Sequence, residues 1–169
     1  TSPPIEHYNK LSHVDKHYND YLEELGSHIT FIEQEHQNGL GHAIYQAREW
    51  VNNEHFLLLL GDHLYESNSL DESCTQQILK RYLQTGNPTI GLMKTPLSQV
   101  HNYGCITGNW KNNNTFLDIT EIVEKPDVDY AQEHLTIEEF EEDIILSLFG
   151  VYILPPILFE YLQDTIEKN

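Results

Sequence analysis

The sequence predicts an α/β fold with crossover connections, and two observations carry that prediction. Residues 56–60 read Phe-Leu-Leu-Leu-Leu, a continuous apolar run with polar neighbours, the pattern of a central strand covered by helices on both faces. On either side of it, short strand-like segments alternate with segments whose apolar residues recur three and four positions apart, the period of a helix packed on a sheet.

In chain order, residues 1–27 are polar and rich in His, Tyr and Asn. Within them Tyr18, Tyr21, Leu22 and Leu25 define one face of a helix over 17–25 that stops at Gly26. Residues 29–34 alternate as a strand does. Gly39-Leu40-Gly41 breaks the chain, and Ala43, Ala47 and Trp50 or Val51 mark a helix from about 42 to 51. Cys74, Ile78, Leu79, Tyr82 and Leu83 predict a helix over 71–83 closed by Gly86. Residues 89–93 predict a second buried strand. Two further strands over 103–107 and 115–124 are expected to join through a turn at Asn112-Asn113-Asn114. The acidic stretch 133–143, with Glu138, Glu139, Glu141, Glu142 and Asp143, reads as a solvated helix or loop. A last apolar strand over 146–154 stops at Pro155-Pro156, and a helix over 157–166 buries Leu158, Tyr161, Leu162 and Ile166.

A length of 169 residues suits one globular domain or a piece of a larger one. Nine basic against 27 acidic residues give a net charge of −18. That balance excludes general binding to nucleic acid and polybasic contact with a membrane. The longest apolar run is far too short to span a bilayer. Two cysteines, Cys74 and Cys105, make neither a disulfide framework nor a zinc cluster, which favours a reducing, cytoplasmic setting; their apolar neighbours place both in the core. The N-terminal residues lack the features of a signal peptide, and the chain opens on Thr1 rather than Met, so it is expected to begin inside a longer protein or after processing.

Four features bear chemistry. Asp62 follows the apolar run directly, at the carboxyl end of a strand, where open α/β sheets bind ligands; a hard carboxylate there suits Mg2+ on a phosphate, although an Asp also caps turns. Gly39-Leu40-Gly41-His42-Ala43 lies between a strand and a helix start, where glycines let a backbone approach a ligand. It matches neither a dinucleotide fingerprint nor a phosphate-binding P-loop. Glu124-Lys125-Pro126 ends a strand: Lys125 suits a phosphate and Glu124 suits sugar hydroxyls, with a surface ion pair as the plainer reading. Ten histidines include His13 and His17 four apart, without the intervening glutamate of a metalloprotease helix.

Taken in order, Gln34, Gly39-Leu40-Gly41-His42-Ala43, Leu58-Leu59-Leu60-Gly61-Asp62, Tyr103-Gly104, Ile122-Val123-Glu124-Lys125-Pro126 and Phe149-Gly150-Val151-Tyr152 resemble the sugar nucleotidyltransferase family, nearest to bacterial UTP–glucose-1-phosphate uridylyltransferases. The resemblance covers roughly residues 29–162. It implies a Rossmann-like mixed, mainly parallel sheet flanked by helices, of which residues 1–169 are the central part. The family's N-terminal glycine-rich loop with its Arg and Lys, and a later segment bearing a second metal-binding aspartate, have no match here. By the same resemblance, Gln34 reads the pyrimidine base edge and Gly39 lies at that base, with Gly41 and His42 in the same nucleotide-binding turn. Asp62 binds the catalytic Mg2+, Gly104 contacts the hexose, Glu124 holds sugar hydroxyls and Lys125 meets the sugar phosphate. The implied substrates are UTP and glucose 1-phosphate, with Asp62 and Lys125 as catalytic groups. Thymidylyl or adenylyl transfer, and a nucleotide-sugar binding or regulatory module without catalysis, stay open as alternatives. The piece alone is expected to turn over little. Association between copies, as a homo-oligomer, is a further expectation where apolar surface is left bare. Gln34, Asp62, Gly104 and Lys125 are expected to line one pocket at one rim of the sheet.

Overall fold

The computed structural model describes residues 3–111, 116–138, 140–141 and 143–168, in two compact units, residues 1–49 and 50–169. The expected turn at Asn112-Asn113-Asn114 and the residues Glu139 and Glu142 lie outside the described residues.

The first unit holds α1 (Ile5–Tyr8), α2 (His13–Ser27) and α3 (Gly39–Gln46), and α4 (Arg48–Val51) begins at its end. Ser12 caps α2 by accepting the Asp15 N–H at 3.2 Å. The helix therefore starts four residues before the expected 17–25, and Val14, four positions ahead of Tyr18, extends the same stripe into its first turn. Its stripe of Tyr18, Tyr21, Leu22 and Leu25 stays exposed, and no described residue of this unit is buried. Residues 29–34 form no strand: alternation favours an extended chain, but a strand exists only where a neighbour supplies the ladder. The single helix expected over 42–51 is two, because Ala47, with ψ near zero (φ −84°, ψ −1°), ends α3.

The second unit is an α/β sheet assembly. It runs β1 (Phe56–Leu59), α5 (Cys74–Thr85), β2 (Thr89–Pro96), a 3-10 helix (Leu97–Asn102), β3 (Gly104–Lys111), β4 (Phe116–Glu124), α6 (Val128–His134), β5 (Ile144–Leu154) and α7 (Leu158–Glu167). A capping box of Ser73 and Gln76 starts α5, and Gly86 at φ +68° closes it as expected. The class is the expected mixed α/β one with helices flanking the sheet. The described pairings are nevertheless all antiparallel. β1, β2 and β3 point the same way, but each hydrogen-bonds to the opposed β5 rather than to another of the three.

Alternation along β5 builds the core. Ile145 packs with Val100, Cys105, Ala131 and Leu135 under α6 and the 3-10 helix, while Val151 and Ile153 pack with Ile78 of α5. Leu146 joins Ile106 and Ile137 on the other face. Ile137 holds down the start of the acidic stretch, whose Glu138, Glu141 and Asp143 are exposed. Thr95 and Ser147, both buried, satisfy each other by a hydroxyl–hydroxyl hydrogen bond. β1 is less covered than its composition predicts. Phe56 stacks on Phe159 of α7, but Leu57 and Leu59 stay 46% and 44% exposed. Leu57 borders a shallow apolar hollow of about 210 Å3 shared with Leu79 and Ile153.

Ile106, fully buried between β4 and β5, is expected to cost about 2–5 kcal/mol when cut to alanine, through lost transfer energy and the cavity left behind. A urea denaturation series on Ile106→Ala checks this, with the midpoint falling clearly below that of the parent chain.

Candidate functional site

The sheet contains a break that sets the site. Tyr152 and Ile153 of β5 pair with both β1 and β2, and Leu146 and Ser147 pair with both β3 and β2. A strand has two edges, so β1 and β3 share the edge opposite β2, one after the other. β1 ends beside Gly150 and β3 begins beside Ser147. Those points are three steps apart on β5, with Leu148 and Phe149 between them, roughly 10 Å at the rise of a strand. The opposite edge is irregular at the same place: Ile90 pairs with Tyr152 but Leu92 with Leu148, a bulge of the kind that re-aims side chains. Gly91 sits at its centre, where a Cβ would lie 2.4 Å from Cγ1 of Val151.

Asp62 lies just past the end of β1, on a clamped turn. Leu60 donates its N–H to the Gly150 carbonyl at 2.9 Å, and His63 donates its N–H to the Leu60 carbonyl at 3.3 Å. The Tyr65 hydroxyl donates to the same Gly150 carbonyl. The His63 ring lies against Gly150 so closely that a Cβ there would come 2.4 Å from Nδ1, and it stacks on Phe149 at 5.3 Å between centroids. Held from below in this way, the turn leaves the Asp62 side chain 85% exposed, with Nε2 of His63 at 4.0 Å. Among the described residues no three His, Cys, Asp or Glu side chains cluster to hold a metal. Asp62 offers a lone, open carboxylate, which fits a hard cation whose other ligands are water and phosphate oxygens.

The far side of the notch carries Gly104, Glu124 and Lys125. Gly104 and Glu124 are cross-strand partners. A Cβ on Gly104 would sit 2.9 Å from Leu148 Cδ1 and 3.0 Å from Glu124 Oε2, so the absence of a side chain leaves room for that carboxylate. Lys125 continues the ladder by donating its N–H to the Tyr103 carbonyl at 3.0 Å, and its ammonium stands 3.8 Å from Glu124. Its φ of +48° is left-handed, in a residue that precedes a buried proline. That position disfavours a helical backbone of either hand for an L-residue, and such strain gathers at binding sites. Tyr152 sits on β5 opposite Leu58 of β1, within electrostatic reach of both Tyr65 and Glu124. Burial, then Tyr65, then Glu124 hold its hydroxyl above the usual tyrosine range.

In the other unit, Gln34 donates from Nε2 to the Gly39 carbonyl at 3.1 Å and meets Nδ1 of His42 at 2.9 Å. Gly39 opens α3 with φ +87°, and Gly41 and His42 lie inside the helix rather than in a loop ahead of it. So Asp62, Gly104, Glu124 and Lys125 belong to one edge of β5 in the second unit, and Gln34, Gly39, Gly41 and His42 lie together in the first. Sequence reading passed over His63, Tyr65 and Tyr152 as site residues. Their signal was adjacency alone: His63 follows Asp62 directly, Tyr65 comes three residues after it, and Tyr152 ends the quoted Phe-Gly-Val-Tyr motif.

Residues 6–169 match the sequence profile described as "Nucleotidyl transferase". The UTP–glucose-1-phosphate uridylyltransferase of Staphylococcus epidermidis is 34% identical over 141 residues, which is 83% of this chain and 44% of that one. A second enzyme of that name, from Staphylococcus saprophyticus, is 36% identical over 142 residues, 84% of this chain and 44% of that one. The chain thus spans about half the length of the curated relatives it matches. Among solved structures, a UDP-glucose pyrophosphorylase complexed with UDP-glucose aligns with TM-score 0.68 at 27% identity, covering 95% of this chain and 57% of that one. A UTP-bound UGPase from Acinetobacter baumannii aligns with TM-score 0.70 at 25% identity, covering 96% and 55%. No described helix is long and apolar enough to cross a membrane.

Burial, and secondarily the Glu124 carboxylate, push the Cys105 thiol up to about 11 from 9.0. The raised value means that the neutral thiol stabilises the fold fully below pH 9, and that this contribution is lost as pH rises through about 11. At pH 8 a disulfide-exchange reagent is expected to label half-exposed Cys74 and spare buried Cys105. Thiol counting before and after denaturation checks this, one thiol rising to two.

Proposed function

Because this chain belongs to the nucleotidyl transferase family, we propose that a longer protein carrying it transfers a uridylyl group from UTP to glucose 1-phosphate. The products are UDP-glucose and pyrophosphate. The observation that carries the proposal is the notch on β5, with Asp62 on one side and Gly104, Glu124 and Lys125 on the other. The names of the Staphylococcus relatives and the UDP-glucose complex support the choice of substrates.

In this reading a phosphate oxygen of glucose 1-phosphate attacks the α-phosphorus of UTP in line. The bond from that phosphorus to the bridging oxygen breaks, and pyrophosphate leaves with the electron pair. Such a displacement depends on positioning and charge neutralisation rather than on a covalent enzyme group. Lys125 holds the sugar phosphate, Glu124 accepts from sugar hydroxyls, and the bare backbone of Gly104 lets the hexose approach. Gln34 and Gly39 meet the base, within the nucleotide-binding segment that includes Gly41 and His42. Asp62 would ligate Mg2+, which when bound neutralises the triphosphate. Lys125 is the one cation among these residues facing two polyanions, so the chain by itself is expected to bind ligand with little turnover.

Isothermal titration of UTP, UDP-glucose and ATP side by side tests the reading. UTP and UDP-glucose are expected to bind more tightly than ATP, and equal affinity for ATP would sink uridylyl transfer. Lys125→Gly separates function from folding. Glycine adopts the left-handed backbone without strain, so the unfolding midpoint is expected to hold or rise. Affinity for UDP-glucose is expected to fall about tenfold or more with loss of the ammonium.

A further inference from the structure

The cluster around His42 fixes more than the position of Gln34. A neutral imidazole has one donor and one acceptor nitrogen. Gln34 reaches Nδ1 at 2.9 Å, and Gln46 reaches Nε2 at 3.1 Å. The Gly39 carbonyl can only accept, so the Gln34 atom 3.1 Å from it is the amide nitrogen. That nitrogen also faces His42 Nδ1, which must then be the accepting atom, and the ring proton sits on Nε2. Gln46 has a weaker tie, 3.4 Å to the His42 carbonyl, so it is the amide that turns over and offers its oxygen to Nε2–H. Both amide hydrogens of Gln34 are thereby committed, one to Gly39 and one to His42. Only its carbonyl oxygen remains for a ligand.

From this network we infer that His42 is a specificity-determining positioning residue, making Gln34 an acceptor-only reader of the base. The inference rests on the nucleotide-binding reading given above. A base with a ring N–H, such as uracil or thymine, donates to that oxygen. Adenine and cytosine instead present an accepting ring nitrogen beside an amine, an edge that wants a donor and an acceptor together. With the Gln34 hydrogens spent, that ring nitrogen is left unpaired, and the mismatch is penalised. Gln46 acts one step further out, through the tautomer of His42.

Two measurements on this chain test the inference. Long-range 1H–15N correlation of the histidine rings, with the His42 signal assigned by its loss in His42→Ala, is expected to show the Nε2–H tautomer. An Nδ1–H tautomer overturns the inference whatever binds. Titration with UTP and with ATP then gives an affinity ratio. His42→Ala frees the Gln34 amide to turn and is expected to lower the ratio about fivefold, the scale of one net hydrogen bond. His42→Asn, whose side-chain oxygen replaces the accepting nitrogen, is expected to keep the ratio and guards against loss of fold in the alanine variant. An unchanged ratio in His42→Ala overturns the inference alone. No binding of UTP to the parent chain, with the Nε2–H tautomer present, overturns the nucleotide-binding reading and the base-reading role with it.

Discussion

The Gly150 carbonyl is where the second unit commits its edge. It takes the last ladder bond from β1 through Leu60 and a second bond from the Tyr65 hydroxyl, while the missing side chain above it admits the His63 ring. A larger residue would push the imidazole out, and the turn carrying Asp62 would lose its floor. Because β1 must stop there, the edge is free for β3 to begin a few residues on, and the notch between them exists for that reason. The bulge at Gly91 is the same constraint felt from the other side of β5.

Much of this architecture was legible in the sequence because it depends on local rules. Gly86 closes α5 where a left-handed residue was needed, and Pro155-Pro156 ends β5 at Leu154. What failed depended on partners. Residues 29–34 alternate well and form no strand, since alternation describes a side chain's two faces and says nothing about who supplies the hydrogen bonds. The run 56–60 promised burial on both sides, yet Leu57 and Leu59 remain half exposed. Strand direction was illegible for the same reason: β5 runs against its neighbours, and no residue type encodes that.

For the site, residue type revealed the groups and not their setting. Asp62 and Lys125 stood out as a carboxylate at a strand end and a rare cation. The left-handed backbone of Lys125 was hidden, because nothing in Glu-Lys-Pro signals a positive φ. His63 was hidden among ten histidines, and only its seat on Gly150 sets it apart. His42 was readable as part of a glycine-rich turn, but its role as the partner of Gln34 comes from two distances that no spacing rule supplies.

The tandem arrangement of β1 and β3 along β5 makes the latter a molecular ruler. The reach from Asp62 to the Glu124–Lys125 corner is counted out in residues 147–150 of one strand. Inserting a single residue there would lengthen the gap by about 3.4 Å and turn the following side chains to the opposite surface. Divergent sequences can therefore vary loops and helices freely, but this short interval tolerates exchange of residues far better than any change in their number.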